Sequence, residues 1–458
     1  MRLTVIGGGG FRVPLIYEAL LRRGRIGIEE VVLFDTDPAR LAVIQAVVRE
    51  LDEHVDVAPS VYSTTDVTEA VRGAAFVFSA IRVGGTAGRV LDERVALAHG
   101  QLGQETTGAG GVAYGLRSVP EMVRIASAVA DHAGDAWTIN FTNPVGMVTE
   151  AMSAVLEDRV IGICDSPTGL CRRIARILGV DPRRMRFDYF GLNHLGWLRA
   201  AYLHGRDTLP DLLRRGPEVE SIEEGALFGR AWLQSLGMVP NEYLHYFYNN
   251  EEAVQALHAS EQTRGEYLDE QQRDFYARVS SDPSEALAAW RAARADREAS
   301  YMSEAREQVG FGERHSHDLS GGYEDVALDV MEAIALNAQT VQILNVRNRS
   351  AVPALDADAI VEVPCVVGSN GAMPLAVGQI PEHAAGLMLS IKAVERDTIA
   401  AALSGDRGRA LRALALHPLV RSVGIASALL DDYEGGVSPT RDLTNAVRRP
   451  SDRGKRDA

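Results

Sequence analysis

Residues 3–10 read LTVIGGGG, and this stretch decides the fold. Leu3 to Ile6 is a short apolar strand that breaks into Gly7, Gly8, Gly9 and Gly10, after which Pro14 to Arg23 has helical spacing. A strand, a glycine turn and a helix in that order let backbone approach a pyrophosphate while the helix N-terminus faces it. Gly7 and Gly9 fill the first two places of G-x-G-x-x-G, and Arg12 stands in the third. Gly7, Gly9 and Gly10 are therefore candidate cofactor contacts. The next strand, Val31 to Phe34, ends on Asp35. A carboxylate there accepts hydrogen bonds from an adenosine ribose and repels a 2′-phosphate, so NAD is expected rather than NADP. A glycine run alone is also a flexible turn, and Asp35 alone could cap a helix before Pro38. Within one βαβ unit each supports the other.

Working outward, the alternation continues. A helix is expected over 38–53, a strand over 75–81, a helix over 120–130 and a strand over 137–141. This βαβα order predicts a doubly wound parallel sheet, the Rossmann-like architecture that lactate and malate dehydrogenases share. Residues 82–97 (RVGGTAGRVLDERVAL) and 99–115 (HGQLGQETTGAGGVAYG) read as long glycine-rich loops. Asn143 precedes Pro144 in INFTNPVGM and is expected to cap the helix that follows, or to hold a substrate hydroxyl if it faces the crevice.

The run VIGIC over 160–164 reads as another buried strand, stopping at Asp165, Ser166 and Pro167. Cys164 and Asp165 then fall at a strand's carboxyl end, where ligands bind in open parallel sheets. His194 follows in a glycine-flanked loop, YFGLNHLGW. A thiolate, an imidazole and a carboxylate can hold a divalent transition metal and leave positions open. A buried cysteine is, however, commonly a small hydrophobe. Tyr243, Tyr246 and Tyr248 in MVPNEYLHYFY fit packing positions equally well, although a cation beside a phenol makes it a competent base.

Beyond Trp197 the texture changes. A strand and turn over WLRAAYLHGRD lead to long charged amphipathic stretches, with helices expected over 254–280 and 284–309. A small sheet is expected around 359–367 and an apolar helix over 326–344, packing a core or an oligomer interface. The expected organisation is an NAD-binding domain over 1–190, a helix-rich α+β substrate and oligomerisation domain over 191–436, and a polar, disordered tail over 437–458.

Composition narrows the partners. A net charge of −15 over 458 residues argues against nucleic acid or an anionic membrane surface, yet permits an anionic small substrate met by a few local arginines. Three cysteines, Cys164, Cys171 and Cys365, make no disulfide framework, and no run of about twenty apolar residues spans a membrane. A cytoplasmic enzyme is expected.

Taken together, LDERVAL, GQETTGAGG, NFTNPVGMVTEA, ICDSPTG, GLNHLGW, VPNEYLHYF and VEVPCVVGSNG resemble glycoside hydrolase family 4. The likeness extends from VIGGGG to HPLV. This NAD-dependent group stands apart from glycosidases that use two carboxylates. The resemblance implies Mn²⁺ held by Cys164 and His194, Tyr243 as the base at C2 of the sugar, and contacts to a 6-phosphorylated sugar from Arg89, Asn143 and Arg264. It implies a phosphorylated disaccharide or glycoside as substrate, and a homodimer or homotetramer. The overall likeness favours a 6-phospho-β-glucosidase acting on substrates such as cellobiose 6-phosphate. Asp165 matches the general acid of the α-acting members, so a 6-phospho-α-glucosidase or α-galactosidase stands beside it. An NAD-dependent 2-hydroxy acid dehydrogenase is a more distant alternative.

Overall fold

The computed structural model describes residues 1–24, 26–53, 55–215, 217–300 and 322–435. The expected tail over 437–458, and the end of the helix expected over 284–309, lie outside the described residues.

The first six strands are β1 (Arg2–Ile6), β2 (Glu30–Phe34), β3 (Ser60–Thr64), β4 (Phe76–Ser79), β5 (Trp137–Asn140) and β6 (Val160–Gly162). They pair in parallel in the order β3-β2-β1-β4-β5-β6. This is the order of a dinucleotide-binding sheet, with its crevice where the chain reverses direction between β1 and β4. Both faces of the sheet are covered, which is why the strands read as continuous apolar runs. Leu3 and Val5 enter one core, whereas Ile6, Val32, Phe34 and Val77 enter another. Burying each such branched side chain contributes roughly 1.5–3 kcal/mol.

The helices between these strands are α1 (Val13–Arg23), α2 (Pro38–Asp52), α3 (Val67–Val71), α4 (Gly85–Ala98), α5 (Ala109–His132) and α6 (Val145–Leu156), with α7 (Ser166–Ile177) after β6. Asp37, not Asp35, caps α2 by accepting from the amides of Ala39 and Arg40. Two expected loops are helical instead. Residues 85–98 form α4, and α5 begins eleven residues before Pro120, which lies inside it. Here close packing overrides the low helix propensity of glycine. A Cβ on Gly110 or Gly111 would lie 2.3 Å from the Gln104 oxygen or 2.4 Å from the Thr106 oxygen. The first turn of α5 therefore sits directly beneath residues 104–106.

The sheet does not stop at β6. It continues antiparallel through β7 (Met185–Leu192), β8 (Leu195–Leu203), β10 (Val239–Pro240), β11 (Thr340–Arg347) and β12 (Ile360–Gly368), with β9 (Arg206–Asp207) and β13 (Gly371–Pro374) at its margins. The small sheet expected around 359–367 does not stand apart: that stretch is β12, a strand of this one sheet between β7 and β11. The helix expected over 326–344 spans Tyr323–Leu336 instead: Asn337, at φ +52°, ends it, and the period-2 run that follows is β11. The charged region folds as helices Asn250–Ala259, Arg264–Ser281 and Ala286–Ala299. Thr263 and Glu266 form a reciprocal capping box that starts the second of these.

Candidate active site

The carboxyl ends of the parallel strands open into a cavity of about 1290 Å³, larger than one small ligand needs. Gly7, Gly10, Asp35, Arg89, Asn143, Cys164, Asp165, His194, Tyr243 and Arg264 all line it. Gly9, expected among the cofactor contacts, does not. Its amide donates to Asp35 Oδ2 at 3.0 Å and its carbonyl accepts from Tyr276, so it ties the turn together from behind.

The glycine turn is built by close approach. Gly7 has φ +91°, and a Cβ there would lie 2.8 Å from the Ala80 oxygen at the end of β4. Its amide donates to the Phe34 carbonyl at 2.9 Å, and the Gly10 amide to the Gly7 carbonyl at 2.8 Å. The turn thus delivers bare backbone to the N-terminus of α1, a cradle suited to a dinucleotide's pyrophosphate. Asp35, which also accepts from the Asp37 amide at 3.1 Å, keeps further lone pairs for a ribose.

One wall is strongly cationic. Arg89 donates to Glu93 at 2.7 Å and to Glu105 at 2.9 Å, while Arg82 pairs with Glu105. Burial would raise the Glu105 carboxyl, but Arg82 and Arg89 outweigh it and bring it down to about 2. Arg264 donates to Ser300 Oγ at 2.8 Å and to the Arg297 carbonyl at 2.9 Å. Burial and the guanidiniums of Arg12, Arg264, Arg89 and Arg82 push Arg297 well below the usual arginine range. Such a concentration of half-buried guanidiniums around the buried Arg89 suits an anion. Arg12 lies over the stacked rings of Tyr323 and Phe141, at 5.0 and 5.4 Å from their centroids. Sequence reasoning missed Arg12, Arg82 and Arg297 as site residues, because no spacing rule connects them.

The thiol and the imidazole line the same cavity. Cys164 follows β6 and is buried; burial, with Glu362 and Asp165, raises its thiol well above the usual range. Next to it, Ser166 Oγ donates to Glu242 Oε1 at 2.6 Å. His194 is the second residue of the two-residue turn between β7 and β8, at φ +60°. A bulky residue held in that conformation is costly and is commonly found at functional sites. Burial lowers its imidazole to about 3, against the opposing charge of Glu105, so the ring is neutral. The ring lies flat on Tyr243, centroids 3.6 Å apart and planes 4° from parallel. Asn143 does not cap α6: that helix has no side-chain cap, and Asn143 Oδ1 is buried without a hydrogen-bond partner.

Among the described residues no three His, Cys, Asp or Glu side chains converge as a closed metal cage. Cys164 and His194 nevertheless line the same cavity, and a thiol and a neutral imidazole are donors that a divalent transition metal accepts. Two protein ligands leave most of the coordination sphere to other oxygens.

The sequence and the fold are both similar to known proteins. Residues 2–180 match the family model described as family 4 glycosyl hydrolase, and residues 189–420 match its C-terminal domain. The chain belongs to glycoside hydrolase family 4. It is 30% identical over 446 residues to a probable 6-phospho-beta-glucosidase of Bacillus subtilis, covering 94% of this chain and 95% of that protein. It is also 30% identical over 449 residues to a maltose-6'-phosphate glucosidase of Fusobacterium mortiferum, covering 94% and 96%. A 6-phospho-beta glucosidase from Thermotoga maritima, solved with manganese, NAD⁺ and glucose-6-phosphate, superposes with TM-score 0.80 at 26% identity, covering 94% and 97%. A lactate dehydrogenase from a deep-sea metagenome library shares the fold alone, at 13% identity and TM-score 0.53, covering 87% and 98%. Among the described residues no helix is long and apolar enough to cross a membrane.

Proposed function

We propose that the chain hydrolyses 6-phosphorylated glucosides, with β-glucosides such as cellobiose 6-phosphate as the first choice, using NAD and Mn²⁺. The observation that carries this reading is the face-to-face pair of His194 and Tyr243 in the same cavity as Cys164 and the Gly7 turn. Supplied with these groups, the site would have a hydride acceptor for C3 of the sugar, which returns the hydride later, and a Lewis acid for the oxygens beside it.

The chain's own residues supply the rest. The Gly7 and Gly10 backbone and the N-terminus of α1 hold the pyrophosphate, and Asp35 accepts from the ribose hydroxyls. Cys164 and His194 hold the metal. Arg89 and Arg264 bind the sugar phosphate, with Arg89 kept in place by Glu93 and Glu105. Asn143 Oδ1 accepts from a sugar hydroxyl. The phenolic oxygen of Tyr243 takes the proton from C2, the bond from C1 to the glycosidic oxygen breaks, and water then adds at C1. The balance is hydrolysis with no net oxidation.

Asp165 favours a second reading. It lines the cavity beside Cys164, where a carboxyl can protonate an alkyl leaving group, as α-acting relatives are expected to require. The deciding experiment assays the purified protein on nitrophenyl α- and β-glucoside 6-phosphates, and on cellobiose and maltose 6-phosphates, with and without Mn²⁺ and NAD⁺. Release only from the β-substrates, dependent on both additions, is expected. Exclusive cleavage of maltose 6-phosphate transfers the assignment to the α-class, and cleavage without NAD⁺ removes the proposal.

A further inference from the structure

The loop Gln104–Thr107 lines the cavity through Gln104, Glu105 and Thr106, and it touches His194 through one hydroxyl. Thr106 Oγ1 lies 3.0 Å from His194 Nδ1 and 3.1 Å from Gln104 Oε1. The Gln104 side-chain atom also receives the amides of Thr106 and Thr107, each at 2.6 Å. An atom that accepts two backbone N–H groups is the carbonyl oxygen, which fixes the orientation of the amide. A carbonyl cannot donate, so the Thr106 hydroxyl donates to it. Having one proton, the hydroxyl is then an acceptor toward His194, and Nδ1 is the nitrogen that carries hydrogen. The stack on Tyr243 fixes the plane of the ring, and the Thr106 contact fixes its rotation within that plane.

We propose that Thr106, oriented by Gln104, is a positioning residue that holds His194 in the Nδ1–H tautomer and so leaves the Nε2 lone pair open for a divalent metal. This inference rests on the proposed metal role of His194 and Cys164. It also gives a physical reason for the glycines of GQETTGAGG. The first turn of α5 packs against the Gln104 and Thr106 carbonyls, and a side chain at Gly110 or Gly111 would push this loop off the imidazole. Outer partners of this kind typically change metal affinity by about 10–100-fold when removed.

The experiment titrates the NAD⁺-loaded protein with Mn²⁺ alone, following free Mn²⁺ by electron paramagnetic resonance. Thr106→Val is expected to weaken Mn²⁺ binding by about 10–100-fold. Thr106→Ser, which keeps the hydroxyl, is expected to stay within about threefold of the parent. The NAD⁺ affinity of both should be unchanged. Parent-like Mn²⁺ affinity in Thr106→Val, or equal losses in the two variants, overturns the role of Thr106. If Cys164→Ser and His194→Ala bind Mn²⁺ as the parent does, the metal reading itself fails, a separate outcome. Nitrogen-15 spectra of the histidine-labelled parent protein, with His194 identified by its loss in His194→Gln, test the tautomer without a Thr106 variant. A proton on Nδ1 is expected, and a proton on Nε2 contradicts the proposal.

Discussion

The Tyr276 hydroxyl donates to the carbonyl of Gly9 at 2.6 Å, joining the helix Arg264–Ser281 to the glycine turn at the other end of the chain. Arg40 strengthens the clasp, stacking 4.1 Å from the Tyr276 ring centroid and donating to its oxygen at 2.9 Å. Removing the hydroxyl leaves the Gly9 carbonyl only the longer 3.4 Å bond from Arg40 Nε, at a cost of about 1 kcal/mol. Tyr276→Phe should therefore weaken NAD⁺ binding by roughly fivefold in calorimetry, while phosphate binding is unchanged. An unchanged NAD⁺ affinity would show that the clasp does not shape the turn.

Asn143 offers a buried acceptor with no hydrogen-bond partner among the described residues. If a sugar hydroxyl supplies the missing donor, Asn143→Ala should lower kcat/KM by about 10–100-fold, equivalent to roughly 1–3 kcal/mol. NAD⁺ affinity, measured by calorimetry, should stay constant. A variant with wild-type kcat/KM would remove Asn143 from the substrate contacts.

Glu105 makes a pH prediction. Its carboxyl falls from 4.5 to about 2, because Arg82 and Arg89 outweigh the burial that would raise it. A lowered folded-state pKa stabilises the protein above pH 4.5, and that stability is lost as pH falls toward 2. The contribution is at most roughly 3 kcal/mol. Glu105→Gln should lower the melting temperature at pH 7, and the gap between variant and parent should close between pH 4.5 and 2. A gap independent of pH would mean that the two ion pairs contribute nothing net.

The sequence made five of the six parallel strands legible because both faces of the sheet are buried there, leaving apolar runs such as LTVI and VVLF; β3 (Ser60–Thr64), a half-exposed strand at the edge, was not among them. Cys164 and Asp165 were legible for a related reason, since the run VIGIC closes on Cys164 and stops at Asp165; His194 was legible from its glycine-flanked turn, and all three line the cavity. The helix at 85–98 and the first eleven residues of the helix at 109–132 were not; Gly110 and Gly111, for instance, sit in close contact with the Gln104 and Thr106 carbonyls, which no local propensity records. Arg12 and Arg297 were invisible for the same reason. They come together only when the helix Ala286–Ala299 packs near the glycine turn, where Arg297 lies 5.8 Å from the centroid of Phe11.

If Asp165 protonates the leaving group, two leaving-group regimes separate. An alkyl alcohol needs a proton as it departs, whereas a nitrophenolate does not. Asp165→Asn should reduce hydrolysis of a disaccharide 6-phosphate by about 100-fold or more, and that of a nitrophenyl glucoside 6-phosphate by far less. Equal losses on both substrates would assign Asp165 to holding the site together rather than to proton transfer.

The central claim is that the glycosidic bond is loosened by removing the C2 proton during a temporary oxidation of the sugar. It is tested most directly by running the hydrolysis in D₂O with Mn²⁺ and NAD⁺ and examining the glucose 6-phosphate released. Deuterium at C2 in the product, with no net accumulation of NADH, is the predicted result. A product with protium retained at C2 would contradict the account.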